Sequence, residues 1–148
     1  MGTLMPFSKK YGILGGFIFG FLSIALFDFA TGKVGIWTLI TGMSYGLLGI
    51  GAGFFFRNRE SSVLNYLKYA IVGTIAYDAA TGLTIGPIFY GQPFMEALTG
   101  QISFTLMHLL GNIVIAVGVS PLLYRWVVAN QKFEVNNIFA LLRQRKSI

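Results

Sequence analysis

The sequence predicts an all-α fold: a polytopic membrane helix bundle with four clear spans and at most six helices, built as two parallel repeats. Three observations carry this. Of 148 residues, 55% are hydrophobic and only 11% are charged, against about 25% charged in an ordinary globular domain. Four apolar stretches reach or approach the roughly 20 residues that cross a bilayer core of about 30 Å as helix. Ten of the eleven Lys and Arg residues fall on one side of those stretches, the bias expected of an inner membrane face.

Span one is predicted over residues 11–30, after Lys9 and Lys10. The first ten residues lack the basic-then-apolar layout and small-residue cleavage site of a removed signal peptide, so span one is expected to stay as a helix. Span two covers 35–56 and span three 63–83, with Arg57, Arg59 and Lys68 around their turn. Residues 84–100 hold two prolines, three glycines and Glu96. They read as a long loop or a short re-entrant element, tolerable at depth only where protein or water satisfies the backbone. Span four covers 101–124 and is followed by Arg125, Lys132, Arg143, Arg145 and Lys146. Only Lys33 lies on the other side, so a cell-membrane protein with both termini cytoplasmic is expected. Residues 1–130 would form the bundle. Residues 131–148 mix Phe133, Ile138, Phe139, Leu141 and Leu142 with four basic residues. They read as an amphipathic tail on the inner leaflet or a partner-binding helix.

The two halves resemble each other. Phe27-Asp28-Phe29-Ala30-Thr31-Gly32 returns fifty residues later as Tyr77-Asp78-Ala79-Ala80-Thr81-Gly82. Leu47-Leu48-Gly49 before Arg57 returns as Leu109-Leu110-Gly111 before Arg125. The repeats span 11–57 and 63–125, and each crosses out and back. Such repeats occur in transporters, with the substrate site near the repeat interface.

Several residues are costly to place in lipid. Asp28 and Asp78 read as lying at the outer ends of apolar helices, where they either close a turn with the following Thr and Gly or contact a solute or ion. Gln101, Thr105, His108 and Asn112 are spaced 4, 3 and 4 apart, on one helical stripe. That stripe must face other helices or a cavity, through interhelical hydrogen bonds or as a ligand-binding surface. Gly12, Gly16 and Gly20, with Gly42, Gly46, Gly49 and Gly53, are small residues at helix-packing distance. They suit either bundle packing or the docking of another membrane subunit.

Catalysis is not expected. The chain has no cysteine and a single histidine, so a metal site would lack its usual companion ligands. No catalytic triad, paired-carboxylate spacing, metalloprotease motif or phosphate loop is present. No cofactor is expected. The net charge of +6 is dispersed between apolar runs rather than along one face, which argues against nucleic acid. Without an ATP-binding motif, active transport would need a partner to supply energy.

Residues 15–23, Gly-Gly-Phe-Ile-Phe-Gly-Phe-Leu-Ser, running to Asp28, resemble the membrane S components of energy-coupling factor (ECF) vitamin transporters. So do Gly35-Ile36-Trp37-Thr38-Leu39, Tyr45-Gly46-Leu47-Leu48-Gly49, Phe104-Thr105-Leu106-Met107-His108-Leu109-Leu110-Gly111-Asn112 and Ser120-Pro121-Leu122-Leu123-Tyr124-Arg125. The resemblance covers roughly residues 11–128. It implies a subunit that binds a vitamin or similar micronutrient at the outer face and docks on a T subunit with two cytoplasmic ATPases. S components usually have six helices, against the four read here. On this resemblance Trp37, Asp78, Gln101, Phe104 and His108 line the outer pocket, joined by Asn112 of the polar stripe. Residues 84–100, with Phe89, Tyr90 and Phe94, would be the lid, and Gly12, Gly16 and Gly20 would contact the T subunit. Two other classes compete: a structural or assembly subunit of a larger membrane complex, and an ATP-independent oligomeric pore or carrier.

Overall fold

The computed structural model describes residues 1–130; the tail expected over 131–148 lies outside the described residues. Four long helices dominate: α1 (Leu4–Ala30), α2 (Ile36–Phe56), α3 (Val63–Tyr90) and α4 (Phe94–Gly118). A short α5 (Ser120–Leu123) and a π-helical stretch (Tyr124–Val128) follow. All four long helices are long and apolar enough to cross a membrane.

The surface is inverted relative to a water-soluble domain. Leu14, Leu26, Phe29, Val72, Met107 and Val114 are 62–77% exposed, while Ser8, Thr74, Asp78, Asn112 and Ser120 are buried. In water the apolar set would be hidden first; in lipid it is the polar set that must be. The chain is a multi-pass membrane protein, an all-α bundle.

α1 and α2 form one hairpin, α3 and α4 the other, and α2 packs against α3. The first hairpin is closed by glycine. A methyl at Gly16 would collide with the Gly49 carbonyl, and one at Gly49 with the Gly16 carbonyl. A methyl at Gly20 would come 2.5 Å from the Tyr45 carbonyl oxygen. The helices therefore cross backbone to backbone, as small-residue motifs allow. Gly16 and Gly20 are buried in that crossing and are spent on it. They offer no free face to a second subunit in this conformation, which corrects the docking surface expected from the resemblance.

Gly12 does something different. Its φ of 73° and ψ of −164° break α1, and the segment before it folds back along the segment after it. Phe7 stacks on Phe19 with ring centroids 4.3 Å apart, whereas an unbroken helix would separate them by about 18 Å. Residues 4–11 are consequently a short re-entrant helix, and Leu4, Met5, Pro6 and Ser8 are among the most buried residues of the chain. The Ser120 hydroxyl anchors this segment by donating to the Gly2 carbonyl at 2.8 Å. No helix was expected there, because Pro6, Lys9 and Lys10 interrupt the apolar pattern. Pro6 falls in the segment's first turn, where its missing N–H costs little, and Lys9 leaves the bundle end to donate to the Arg59 carbonyl at 2.5 Å.

The second departure lies at residues 84–100, expected as a loop or lid. α3 runs on to Tyr90 and α4 begins at Phe94, so only residues 91–93 turn the chain. Gly91 ends α3 in the left-handed conformation, φ 64°, with Gln92 N–H donating back to the Gly86 carbonyl at 3.2 Å. Pro93 precedes α4, and Glu96 sits in its first turn, where the helix dipole favours an acid. Pro87 stays inside α3. At 28 and 25 residues these helices are about 42 and 37 Å long, longer than a bilayer core requires.

This lengthening breaks the equivalence of the two aspartates. Asp28 lies two residues from the end of α1 and accepts from the Thr38 hydroxyl at 2.6 Å, so it braces the α1–α2 connection through a side chain of α2 rather than through the following Thr31 and Gly32. Asp78 sits near the middle of α3 and closes no turn, a correction that follows directly from the continuation of α3 to Tyr90.

Candidate functional site

A cavity of about 360 Å³ lies inside the bundle, and every long helix contributes to it. α1 supplies Ile24, α2 Tyr45, α3 Thr74 and Tyr77, and α4 Phe104, His108 and Asn112. Met1 lines it too, because the reversal at Gly12 carries residues 1–11 back into the bundle. The volume falls in the range of small-molecule sites, and a mostly apolar wall with a few convergent polar groups is their usual chemistry.

Polar residues at four-residue spacing on α3 meet the polar stripe of α4. Thr74, Asp78 and Gly82 share one face of α3. The Asn112 amide donates to the Thr74 hydroxyl at 3.0 Å, a fully buried bond. One turn along, His108 Nδ1 lies 2.7 Å from Asp78 Oδ1. A further turn along, the Gln101 side chain lies against Gly82, in space that any larger residue there would take. Asp78 is 1% exposed, and its second oxygen, Oδ2, is buried without a hydrogen-bond partner. His108 is therefore what holds this carboxylate in a low-dielectric interior, where an unpaired charge is expensive.

Aromatic rings bracket the imidazole. The Phe104 ring centre is 5.5 Å from that of His108, and Tyr77 meets it edge-on at 6.4 Å. Tyr45 and Tyr77 contact edge to face at 5.6 Å, and the Tyr45 hydroxyl receives the Met1 nitrogen at 2.6 Å.

Of the expected solute residues, Phe104, His108 and Asn112 line the cavity, and Asp78 stands directly behind His108. Gln101 does not. Its amide donates to Thr105 at 3.1 Å within α4, and both face a shallow apolar groove on the outside of the α3–α4 hairpin with Ile75, Leu83 and Leu109. Trp37 does not either: its indole N–H donates to the Lys33 carbonyl at 2.9 Å and the ring covers Gly35 at the α1–α2 turn. Phe89, Tyr90 and Phe94 belong to the helical tip of the second hairpin.

Thr74, Tyr77, Tyr45 and Ile24 were not anticipated. Thr74 had a signal, since it lies four residues before Asp78 and so presents a second stripe to match that of α4. Tyr45 and Ile24 had none, because which side of a glycine-packed helix faces a cavity is decided by the crossing.

Set against family profiles, characterised proteins and solved structures, the chain matches none of them.

Proposed function

We propose that this chain is the solute-capturing membrane subunit of an ATP-driven importer of the ECF type, taking a vitamin or similar micronutrient into the cavity between its two hairpins. The observation that carries this reading is the convergence of aromatic and polar side chains from all four long helices on one cavity inside the bundle. Placing Asp78, His108, Thr74 and Asn112 inside a membrane protein costs free energy that packing alone would avoid by using leucine. Solute recognition gives those groups a use.

The chain has no ATP-binding motif, so energy comes from partners, a T subunit and two cytoplasmic ATPases. The basic end, where Lys9 meets Arg59, faces the cytoplasm of the cell membrane, and the α3–α4 tip faces outward. Residues 1–11 fill the bundle between the cavity and the basic end, which argues against an open pore. With the glycine stripe used inside the first hairpin, coupling to the T subunit runs through another surface.

Purification of the tagged protein from its own host in mild detergent tests this. Recovery of a polytopic T-like subunit with two ATPases supports the importer. A stable homo-oligomer without them sinks it and favours the pore or assembly readings.

A further inference from the structure

Asp78 does not line the cavity, yet it touches the cavity's imidazole, His108, whose tautomer decides which ring nitrogen donates and which accepts. We propose that Asp78 is a positioning residue that fixes His108 as the Nδ1–H tautomer, so that the cavity presents a bare Nε2 acceptor and selects a planar solute offering an N–H or O–H donor in the plane of its ring. The inference rests on the reading that this cavity takes a solute.

His108 Nδ1 and Asp78 Oδ1 are 2.7 Å apart. With Asp78 taken as the carboxylate and His108 as the neutral imidazole, the carboxylate can only accept, so Nδ1 carries the hydrogen and the ring's lone pair is at Nε2. Nδ1 is turned to Asp78 on α3, so the edge left for the cavity carries Nε2, and among the described residues nothing donates to it. Asp78 is held rigidly enough to impose this. It is 1% exposed and is fixed on the interior of α3 one turn from the Thr74–Asn112 bond. A buried carboxylate behind a histidine is also how metal sites set imidazole orientation; here a solute would take the place of the ion.

The surrounding rings set the shape. Phe104 and Tyr77 both contact the imidazole, so a flat ring bound with its edge towards Nε2 would find aromatic surface beside it. A cavity of about 360 Å³ admits a bicyclic heterocycle. A solute bearing only acceptors at that edge would leave Nε2 facing a lone pair, and such a mismatch is strongly discriminating at a buried site.

The chain has one histidine, so protein labelled with ¹⁵N-histidine gives a single imidazole spectrum in detergent without assignment. The expected result is a protonated Nδ1 and a bare Nε2, with that fixed pattern lost in Asp78→Leu. A protonated Nε2 in the unmodified protein, with or without a protonated Nδ1, overturns the proposal; this holds whether or not the variant folds. Benzimidazole and 1-methylbenzimidazole, which differ in one N–H, then test the solute class. Benzimidazole should shift the Nε2 resonance, with the methylated probe at least about tenfold weaker. Equal responses, or none to either, overturn the donor selection. The co-purification experiment reads the importer assignment separately, so either idea can fail while the other stands.

Discussion

Gly16 on α1 and Gly49 on α2 face each other so closely that a methyl group on either would overlap the other's backbone. No side chain can yield there, because the obstacle is a carbonyl on each side. Gly16→Ala or Gly49→Ala should therefore pry the hairpin apart and cost about 1–3 kcal/mol, the range for overpacking. Gly100→Ala and Gly111→Ala meet nothing within 4 Å and should be neutral or stabilising by up to about 1 kcal/mol through helix propensity. Thermal melts in mild detergent separate the two pairs. Equal losses at all four sites would contradict the crossing described.

Gly12 has open space but a forbidding backbone. With φ at 73° and no atom near its missing side chain, replacement is strained without being crowded. Gly12→Ala and Gly12→Asn should each cost about 1–3 kcal/mol, since a ψ of −164° places this residue outside the left-handed helical region that Asn tolerates and in one reserved for glycine. Limited trypsin digestion at Lys9 and Lys10 reports the loosening. Faster cleavage of both variants than of the unmodified protein is expected; identical rates would mean that the reversal does not hold residues 4–11 in place.

Breaking the Asp78–His108 pair, of which only the carboxylate is buried, from the histidine side should hurt more than removing both partners. His108→Ala strands Asp78, whose other oxygen already lacks a partner; because the imidazole is 35% exposed, the loss should fall below the range of about 3–5 kcal/mol for a fully buried pair. The double variant Asp78→Leu/His108→Leu removes the stranded charge and should be clearly more stable than His108→Ala alone. A double-mutant cycle by detergent unfolding measures this, and simple additivity would sink it.

Asn112 and Gln101 lie on the same stripe but have different partners. Asn112→Leu removes an interhelical bond to Thr74, worth about 0.6–1.7 kcal/mol in a membrane protein. Gln101→Leu removes a bond within α4 on an outward groove and should change stability by no more than about 0.5 kcal/mol. Equal melts for the two variants would argue against the α3–α4 registry.

The four crossings were legible because hydropathy is a property of single segments. The polar stripe of α4 was legible for the same reason, as helical spacing alone places His108 and Asn112 on one face. What could not be read were features decided between segments. Gln101 shares that face but finds Thr105 one turn away, so its hydrogen bond is satisfied without reaching the cavity. Residues 84–100 look broken because Gly86, Pro87 and Gly100 are helix-weakening in isolation; paired as a hairpin, the two helices carry all three. The re-entrant residues 4–11 are too short and too interrupted for any pattern to mark them. Only the neighbours that bury them make them a helix.

The reversal at Gly12 also bears on how the protein is made. Gly2 is held by Ser120, 118 residues further along the chain, and a methyl at Gly2 would collide with Ile115 on the last long helix. Residues 1–11 leave the ribosome early, but the surface that receives them does not exist until α4 and α5 have been synthesised. Contacts of such long sequence separation form late. Residues 1–11 must therefore wait while later helices insert, and they dock only after α4 and α5 are in place.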